Sequence, residues 1–544
     1  MKNNVLIVIP ARGGSKGIPR KNLRTLAGKP LIYYSIQAAR SLMAQADVYV
    51  TTDDEEIAAI SEKFGAQIIF RDPSIAQDAT TLDPVIFDAY RRVVEKAGWG
   101  YDYVVTLQPT SPLLKSATLD EALHRISSDP EIDTIISACI DTHLTWSKKD
   151  GGYVPNYIKR VNRQYLDPVY KETGGFLITK ASIVSESNRI GRRVELHLLK
   201  GEEGIDIDTY EDWNLCEFHL KRKKILFVVA GYHQIGLGHV YNTLLLANDI
   251  LKHQIEFLVD ANSKLAFEKI ASKNFAVRIQ SGQDIIDDIR DVAPDVVIND
   301  RLDTDEKYIM ALKGLGVKVI NFEDLGAGAR YADLVINAIY PEKEVLPRHY
   351  FGHDYIVLRD EFLFTQAKQP AERVYEVLLT FGGVDPNNLT EKVLRSISEY
   401  CREAGIKISV MMGFGYSHYD TLKPYENVNI HRDSMTIADM MARADIVFTS
   451  AGRTTYEVAS LRVPTIVLAQ NERELTHFFA SAEHGFLNLG LGALVEDHQI
   501  LDAFVKLVVN RSSRQYMSDL MAKYDLVGGR RRTLKLINEI LEEV

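Results

Sequence analysis

Cationic side chains and glycines cluster near the start of the chain, and their spacing predicts a loop that binds phosphate groups. The segment from Ile9 to Asn22 carries four cations in ten residues, around a Gly-Gly pair. Glycines let backbone N–H groups approach phosphate oxygens, and cations stabilise a pentacoordinate phosphorus and a departing pyrophosphate. The spacing differs from both the P-loop and the dinucleotide-binding fingerprint; a solvated basic turn without a ligand is the alternative. We predict that Arg12 and Lys21 are catalytic and that a nucleotide is bound by Gly13, Gly14, Ser15 and Lys16.

Two aspartates much later in the chain have the spacing of a cation site. Side chains two residues apart lie on one face of an extended strand, so Asp206 and Asp208 can bind one hard cation together with phosphate oxygens. Capping of the following turn is the alternative role. Gln108 and Ser111 sit just past a predicted strand, at the edge where open α/β sheets bind ligands.

A second glycine-rich turn combines an anion-binding position with a base. The strand ILFVVAG leads through Gly236, Gly238 and His239 into an apolar, helix-like stretch. Backbone N–H groups and the helix dipole at such a turn attract an anion, and histidine can act as a base near neutral pH. A polar cap of the helix is the alternative role for this histidine.

The last third of the chain adds a candidate diphosphate site. The segment SAGRTTYE follows a predicted strand, and we predict that Gly452, Thr454 and Thr455 start a helix there and bind a diphosphate. The pairs Asn299–Asp300 and Glu323–Asp324 fall at predicted strand ends, where carboxylates could orient a sugar or a water. Exposed turn acids are the alternative for both pairs.

These residues must be positioned by an α/β fold. Short β-branched runs alternate with amphipathic stretches, which is typical of βαβ units around a mostly parallel sheet. The rhythm breaks between about residues 141 and 175 and restarts after the run KRKK near residue 222. We therefore predict a Rossmann-like domain over residues 1–222, followed by two Rossmann-like lobes over residues 223–370 and 371–544.

Composition excludes several classes of protein. The 544 residues are 46% apolar and 25% charged, which argues against long disorder and fibrous repeats. A net charge of −10 argues against a general nucleic-acid binder. Cys139, Cys216 and Cys401 are too far apart for a disulfide framework or a cysteine-rich metal site, and no apolar run is long enough to cross a bilayer. We expect a cytoplasmic enzyme with no membrane or nucleic-acid partner.

Five motifs in order resemble the cytidylyltransferases that activate sialic-acid-type sugars as CMP conjugates. They are IPARGGSKGIPRKN (9–22), LAGKPLI (26–32), VTTDDEEIA (50–58), LQPTSPL (107–113) and GIDIDTYEDW (204–213). The resemblance implies a nucleotidyltransferase domain in which CTP reacts with a nonulosonic acid, giving a CMP-sugar and pyrophosphate, with Mg²⁺ as cofactor.

The same resemblance implies roles for particular residues. Asn22 and Lys21 would lie against CTP, and Gln108 and Ser111 would belong to the nucleotide or sugar pocket. Arg163, with Gln164 beside it, would bind the carboxylate of the sugar acid. The excursion over residues 141–175 would be a dimerisation arm, implying a homodimer in which each sugar site is closed by the partner.

The C-terminal half resembles the two-lobed GT-B architecture, and within it the nucleotide-sugar hydrolase of pseudaminic acid biosynthesis. That resemblance implies a UDP-sugar substrate, His239 as the base, and Glu457 placed to reach a ribose hydroxyl. The chain departs from that family at Asn242, where the family has arginine. We expect a bifunctional enzyme of nonulosonic acid biosynthesis. A glycosyltransferase and a non-catalytic nucleotide-sugar binding module are the alternatives for the second half.

Overall fold

A computed structural model describes residues 4–14, 17–43, 45–77, 79–232, 237–282, 284–425, 428–432 and 437–544. The chain divides into two compact units, Met1–Arg222 and Lys223–Val544, and this division coincides with the predicted boundary at residue 222. Within the described ranges, the structure contains no helix with the length and apolar character needed to cross a bilayer. The predicted α/β fold class is confirmed in both units.

The first unit is built on one mixed sheet, with the strand order β11-β7-β10-β6-β1-β4-β5. The strands of the whole unit are β1 Val5–Pro10, β2 Thr25–Leu26, β3 Lys29–Pro30, β4 Ala46–Thr52, β5 Gln67–Phe70, β6 Tyr103–Leu107, β7 Thr134–Ile140, β8 Trp146–Lys149, β9 Gly152–Pro155, β10 Tyr170–Lys180 and β11 Val194–Leu198. Its helices are α1 Leu31–Arg40, α2 Glu55–Lys63, α3 Leu82–Ala97, α4 Ser116–Ser128 and α5 Tyr210–Lys221. Strands β2 and β3, and strands β8 and β9, form separate two-stranded sheets.

The central strand β1 explains why this sheet is covered on both faces. Its side chains are apolar and buried, so they alternate between two cores. Ile7 and Ile9 pack in a core with α1, α2 and α4, whereas Leu6 and Val8 pack in a core with α3. Since β1, β4, β5 and β6 run parallel, their carboxyl ends share one edge of the sheet, and the glycine loop begins there.

The excursion predicted over residues 141–175 contains the hairpin β8–β9, which forms a sheet of its own. The chain then rejoins the main sheet through β10, which runs antiparallel to both of its neighbours. The pairing of β10 with β7 shifts register between Glu172 and Leu177. This irregularity matters because it lies beside one of the two predicted metal-binding aspartates.

The second unit contains two further sheets, with the orders β14-β13-β12-β15-β16-β17-β18 and β21-β20-β19-β22-β23-β24. Its strands are β12 Lys224–Val229, β13 Gln254–Val259, β14 Val277–Ile279, β15 Val296–Asp300, β16 Lys318–Phe322, β17 Leu334–Asn337, β18 His349–Phe351, β19 Glu376–Thr380, β20 Lys407–Met412, β21 Val428–Arg432, β22 Ile446–Thr449, β23 Thr465–Ala469 and β24 Phe486–Leu491. Its helices are α6 Gly238–Asp249, α7 Lys264–Ala271, α8 Ile285–Val292, α9 Glu306–Gly314, α10 Asp360–Phe364, α11 Leu389–Ala404, α12 Ile437–Arg443, α13 Thr454–Ser460, α14 Asp497–Val509, α15 Arg511–Met521 and α16 Gly529–Glu542.

Both sheets of the second unit are parallel, and each begins with the Rossmann strand order 3-2-1-4-5-6. The predicted pair of Rossmann-like lobes, which is the GT-B arrangement, is therefore present. The boundary needs one correction. Helix α16 was predicted to lie in the second lobe, but its Ile537, Ile540 and Leu541 are buried in the core of the first lobe. After the second lobe the chain returns to the first lobe, where the apolar face of α16 packs against that lobe's core.

Candidate functional site

The glycine loop of the first unit is held by its own neighbours at the end of β1. The backbone N–H of Gly13 donates to Asp53 Oδ1 at 3.0 Å, and a Cβ on Gly13 would lie 2.7 Å from Asp54 Oδ2. Asn22 is buried, and its Nδ2 donates to the carbonyl of Arg12 at 3.0 Å. Asn22 thus fixes the loop backbone that a nucleotide would contact.

Of the other residues predicted in the glycine loop, the structure describes Gly14 but not Ser15 or Lys16. Ser15 and Lys16, like Gly236 of the second glycine-rich turn, lie outside the described residues. Among the described residues, no atom approaches within 4 Å of the position that a Cβ on Gly14 would take. Gly14 therefore borders open space, where a ligand can approach the backbone.

Lys21 joins this loop to the segment that carries the two aspartates. Its Nζ donates to the carbonyl of Ile207 at 2.7 Å and lies 3.7 Å from Asp208 Oδ1. The Lys21 side chain is 15% exposed and that of Asp208 is 78% exposed, so the pair lies at the protein surface. Gly17 packs against the same segment, because its Cβ would lie 2.8 Å from the carbonyl oxygen of Asp208.

Asp206 has the environment of a cation ligand. Its Oδ1 is buried and has no hydrogen-bond partner among the described residues, and a Cβ on Gly174 would lie 2.8 Å from that atom. Burial raises the pKa of Asp206 and the nearby charge of Asp208 also raises it, although the Thr110 hydroxyl and the charge of Lys21 oppose the shift. A divalent cation would offset both effects, so the two aspartates fit Mg²⁺. Within the described part of the chain no third acidic, histidine or cysteine side chain completes the site, so phosphate oxygens would have to supply further ligands.

Two predicted pocket residues follow β6. Ser111 is 3% exposed, and its Oγ has no hydrogen-bond partner among the described residues. The carbonyl of Gln108 accepts a hydrogen bond from Ser35 Oγ at 3.1 Å. The Ser111 hydroxyl is thus a buried donor and acceptor that a ligand can satisfy.

Arg71, which sequence reasoning missed, also belongs to this edge. It directly follows β5, and its Nη2 donates to the carbonyl of Thr51 at 2.9 Å. Burial lowers the pKa of Arg71, the Asp53 carboxylate opposes that change, and the charge of Arg12 adds to it. The two guanidinium groups of Arg12 and Arg71 are therefore close enough for their charges to interact. The available signal was a polar side chain directly after a strand, which is the criterion that singled out Gln108.

Arg163 and Gln164 lie apart from this cluster. Both are exposed in a short 3-10 turn, and no hydrogen bond or ion pair among the described residues joins them to Lys21, Asp206 or Asp208. The surrounding arm also exposes large apolar side chains, which are Trp146, Tyr153, Ile158, Tyr165, Val169 and Tyr170.

The second unit has a cavity of about 460 Å³ between its lobes, at the carboxyl ends of both parallel sheets. His239 and Asn242 of α6 line it from the first lobe, and Glu457 of α13 lines it from the second. Ligands of open α/β folds bind at this edge. The cavity also receives side chains that the sequence did not single out, which include Arg359, Arg453, Arg473, Glu474 and His477.

His239 forms a histidine-carboxylate pair. Its Nδ1 donates to Asp300, which ends β15 and is fully buried. The second oxygen of Asp300 accepts from Asn242 Nδ2 at 2.7 Å. Because Nδ1 carries the proton toward the carboxylate, Nε2 keeps a lone pair and can act as a base. Asp300 is therefore a buried partner of His239, and the alternative of an exposed turn acid is wrong.

Glu323 and Asp324 are neighbours in the chain but have different partners. Glu323 is fully buried and accepts from Arg453 Nη2 at 2.8 Å, and its backbone lies in the left-handed region at φ 51°. Burial raises the pKa of Glu323 to about 7, although the charge of Arg453 opposes the shift. Asp324 is also buried, but it accepts from Thr304 and Gly326 and so holds a loop.

Most residues of the predicted diphosphate turn lie at the cavity, but Thr455 needs a correction. Gly452 and Thr454 line the cavity, as does Glu457. Thr455 is only 1% exposed, and its Oγ1 donates to the Gly452 carbonyl at 2.8 Å, so this hydroxyl closes the start of α13 and faces the protein interior. Arg359 holds both oxygens of Glu457, at 2.7 and 2.9 Å.

Two further lining groups have unusual protonation. Burial lowers the pKa of His477 to about 4, and its Nδ1 lies 2.7 Å from the Ala451 carbonyl. His477 is thus neutral near pH 7 and donates from Nδ1. Burial also raises the pKa of Glu474 to about 7, and this carboxylate accepts from the N–H groups of Ala451 and Gln470.

Comparison with known proteins adds independent findings. The family model described as cytidylyltransferase matches residues 6–147. The chain is 31% identical to the N-acylneuraminate cytidylyltransferase of Streptococcus agalactiae over 246 residues, covering 42% of this chain and 58% of that protein's length. It is 31% identical to the CMP-N,N'-diacetyllegionaminic acid synthase of Legionella pneumophila over 223 residues, covering 39% of this chain and 94% of that protein.

A comparison of folds gives matches over a larger share of the chain. The S. aureus MnaA structure with UDP covers 59% of this chain and 98% of its own, with 12% identity and a TM-score of 0.42.

Proposed function

Because this chain belongs to the cytidylyltransferase family, we propose that its first unit transfers CMP from CTP to a nonulosonic acid. The anomeric hydroxyl oxygen of the sugar acid bonds to the α-phosphorus of CTP, the bond from that phosphorus to the pyrophosphate oxygen breaks, and the hydroxyl proton passes to water. The products are a CMP-sugar and pyrophosphate.

One observation carries this proposal: Lys21 brings the glycine loop and the Asp206–Asp208 segment to a single edge. The Lys21 ammonium lies 3.7 Å from the Asp208 carboxylate and bonds to Ile207 between the two aspartates. Arg12 and Lys21 provide the positive charge that a triphosphate requires, and the Gly13–Gly14 backbone provides a close approach. The lysine, the loop and the aspartates thus bind and orient one triphosphate.

Asp206 and Asp208 would hold Mg²⁺, for which the unpartnered Asp206 Oδ1 is the supporting observation. When bound, the cation neutralises phosphate charge and favours departure of pyrophosphate. Ser111 satisfies its buried hydroxyl on the nucleotide or the sugar, and Asn22 keeps the loop backbone in place.

We assign Arg163 and Gln164 to the carboxylate of the sugar acid, and we propose that the chain forms a homodimer through the arm. The two residues are exposed within a single chain, and the arm exposes apolar side chains such as Trp146 and Tyr153. A second copy that covers this arm would bury those side chains and enclose the sugar site. Light scattering of the full chain tests the dimer, and a monomer at micromolar concentration would contradict it.

Pyrophosphate release from CTP tests the transfer. The full chain is assayed with Mg²⁺ and, separately, with pseudaminic, legionaminic and N-acetylneuraminic acids. We expect turnover with at least one acid and a CMP-sugar of matching mass. Absence of turnover with all three would count heavily against the proposal.

For the second unit we propose hydrolysis of a UDP-linked amino sugar, because a buried carboxylate orients His239 at the wall of the cavity between the lobes. Water oxygen bonds to the anomeric carbon while the bond from that carbon to the diphosphate oxygen breaks. His239 Nε2 accepts the proton of the water, and UDP departs. Gly452, Thr454 and Glu457 support the nucleotide from the second lobe.

Release of UDP without an added acceptor separates this activity from its alternatives. A hydrolase releases UDP from its UDP-sugar in buffer alone, whereas a glycosyltransferase depends on an acceptor. A binding module would hold the nucleotide sugar without turnover, and His239→Ala would then change nothing.

A further inference from the structure

Three arginines line the cavity of the second unit, and each is paired with a carboxylate. The pairs are Arg359 with Glu457, Arg453 with Glu323, and Arg473 with Asp303. The partner carboxylates differ in burial: the side chain of Glu323 is 0% exposed, whereas that of Asp303 is 44% exposed. The pair of Arg453 is therefore the one held most firmly out of water.

Arg453 also differs from the other two because its side chain reaches the catalytic pair. It belongs to the second lobe, yet its Nη1 donates to Asn242 Oδ1 at 3.2 Å and its Nη2 donates to Glu323. Asn242 in turn donates to Asp300 at 2.7 Å, and Asp300 holds His239. A chain of direct hydrogen bonds thus links a cation of one lobe to the base of the other.

From this arrangement we propose that Arg453 binds the diphosphate of the nucleotide sugar and that Glu323 is a positioning residue acting through it. The proposal rests on the nucleotide-sugar function of the second unit. The two bonds of Arg453 use two of five guanidinium N–H donors, and its side chain is 18% exposed at the cavity wall. Donors therefore remain for a ligand.

Charge favours a phosphate group as the partner. Glu323 and Asp300 place two buried carboxylates behind this wall of the cavity, and Arg453 is the guanidinium in direct contact with one of them. A phosphate that approaches His239 would be repelled by those carboxylates unless a cation stood between them. Arg453 bonds to Glu323 and to Asn242, which itself bonds to Asp300, so the second lobe brings a cation to these two carboxylates.

Glu323 explains why the guanidinium is held there. Its carboxylate also accepts from the N–H groups of Ala338 and Ile339, at 3.2 and 3.3 Å, so it is fixed on the first lobe. Its left-handed backbone is an unfavourable conformation for a residue with a side chain, which points to a functional reason for it. Preorganisation of an arginine in this way reduces the ordering needed when a ligand binds.

Calorimetric titration of the full chain with UDP and with uridine tests the proposal. We expect Arg453→Gln to raise the Kd for UDP at least about 10-fold, the effect of losing a charged hydrogen bond, while the Kd for uridine stays within twofold. Arg453→Lys should also weaken UDP, because an ammonium cannot replace the planar fork. Asp303→Asn is the control, since it breaks another ion pair between the lobes and should leave the Kd for UDP unchanged.

A double-mutant cycle tests the role of Glu323. Glu323→Gln should change the Kd for UDP at least threefold in the native background and less than 1.5-fold in the Arg453→Gln background, because it acts only through that arginine. Equal effects in both backgrounds, no effect in either, or equal losses of UDP and uridine in Arg453→Gln would each overturn the proposal. The same holds if Arg453→Gln binds UDP normally or if Asp303→Asn weakens UDP as strongly. If the native chain does not bind UDP, the nucleotide-sugar function itself fails, and this inference with it.

Discussion

Replacing Asp300 with asparagine should remove most of the activity of the second unit while leaving its shape intact. Asp300 is fully buried and accepts from His239 Nδ1 and Asn242 Nδ2. When His239 takes a proton from water, the carboxylate stabilises the imidazolium. Asparagine provides no charge and can donate to Nδ1, which would shift the proton to Nε2 and block the base.

The expected loss can be estimated from charge separation. Two unit charges about 4 Å apart interact by about 4 kcal/mol at an effective dielectric constant of about 20. A loss of that size in the transition state corresponds to about 10³-fold in rate. The assay follows UDP release from a UDP-linked amino sugar with no acceptor present, and it compares kcat at saturating substrate.

Asp324 offers a matched control for this substitution. It is also a buried aspartate just past a neighbouring strand, but its partners are Thr304 and Gly326 and not a histidine. Asp324→Asn should lower the melting temperature and leave kcat within about threefold, since the base is untouched. A kcat for Asp300→Asn within tenfold of the native value, in a protein that still binds UDP, would refute the pairing of Asp300 with the base.

Further predictions concern the other unit and the effect of pH. Lys21→Gln should lower pyrophosphate release about 10²-fold, the usual effect of losing one group that stabilises developing charge, with UDP-sugar cleavage by the same chain as the internal control. Gly17→Ala should also lower it, because the added Cβ would lie 2.8 Å from the carbonyl of Asp208, whereas Gly100→Ala adds a Cβ in open space and should be silent. The pKa of His477 is lowered from 6.5 to about 4, so its neutral form stabilises the fold above pH 6.5 and that contribution, at most about 3 kcal/mol, is lost as pH falls toward 4. Calorimetric melting at pH 7 and pH 4.5 should therefore show a smaller loss of stability in His477→Gln; an equal loss would contradict the buried neutral state.

The edge in the first unit could be predicted from the sequence because local rules place its members. Parallel strands bring their carboxyl ends together, and the loop at Arg12 directly follows one such strand. Arg71 follows the same rule and could have been found by it. The two-residue spacing of Asp206 and Asp208 predicts one face of a strand, but the structure forms no strand over these described residues, and it buries Asp206 Oδ1 while Asp208 is exposed near Lys21.

The cavity of the second unit was less predictable, because its contacts depend on how the two lobes of that unit pack. Nothing local indicates that Arg453 reaches Glu323, 130 residues away in the chain. The inward direction of the Thr455 hydroxyl and the burial of His477 follow from packing that no spacing encodes. Helix α16 is a further example. Its sequence pattern predicts an apolar face, but it does not indicate which lobe that face packs against.

We propose that the amino-terminal loop and the distant aspartates together hold one triphosphate, from which CMP is transferred to a sugar acid. The most direct measurement is the yield of CMP-sugar, detected by mass spectrometry, from the full chain incubated with CTP, Mg²⁺ and the three nonulosonic acids. We predict a CMP-sugar with at least one acid, and a yield reduced at least 10²-fold in Asp206→Asn at the same Mg²⁺ concentration. No CMP-sugar from the native chain, or an undiminished yield from Asp206→Asn, would contradict the account.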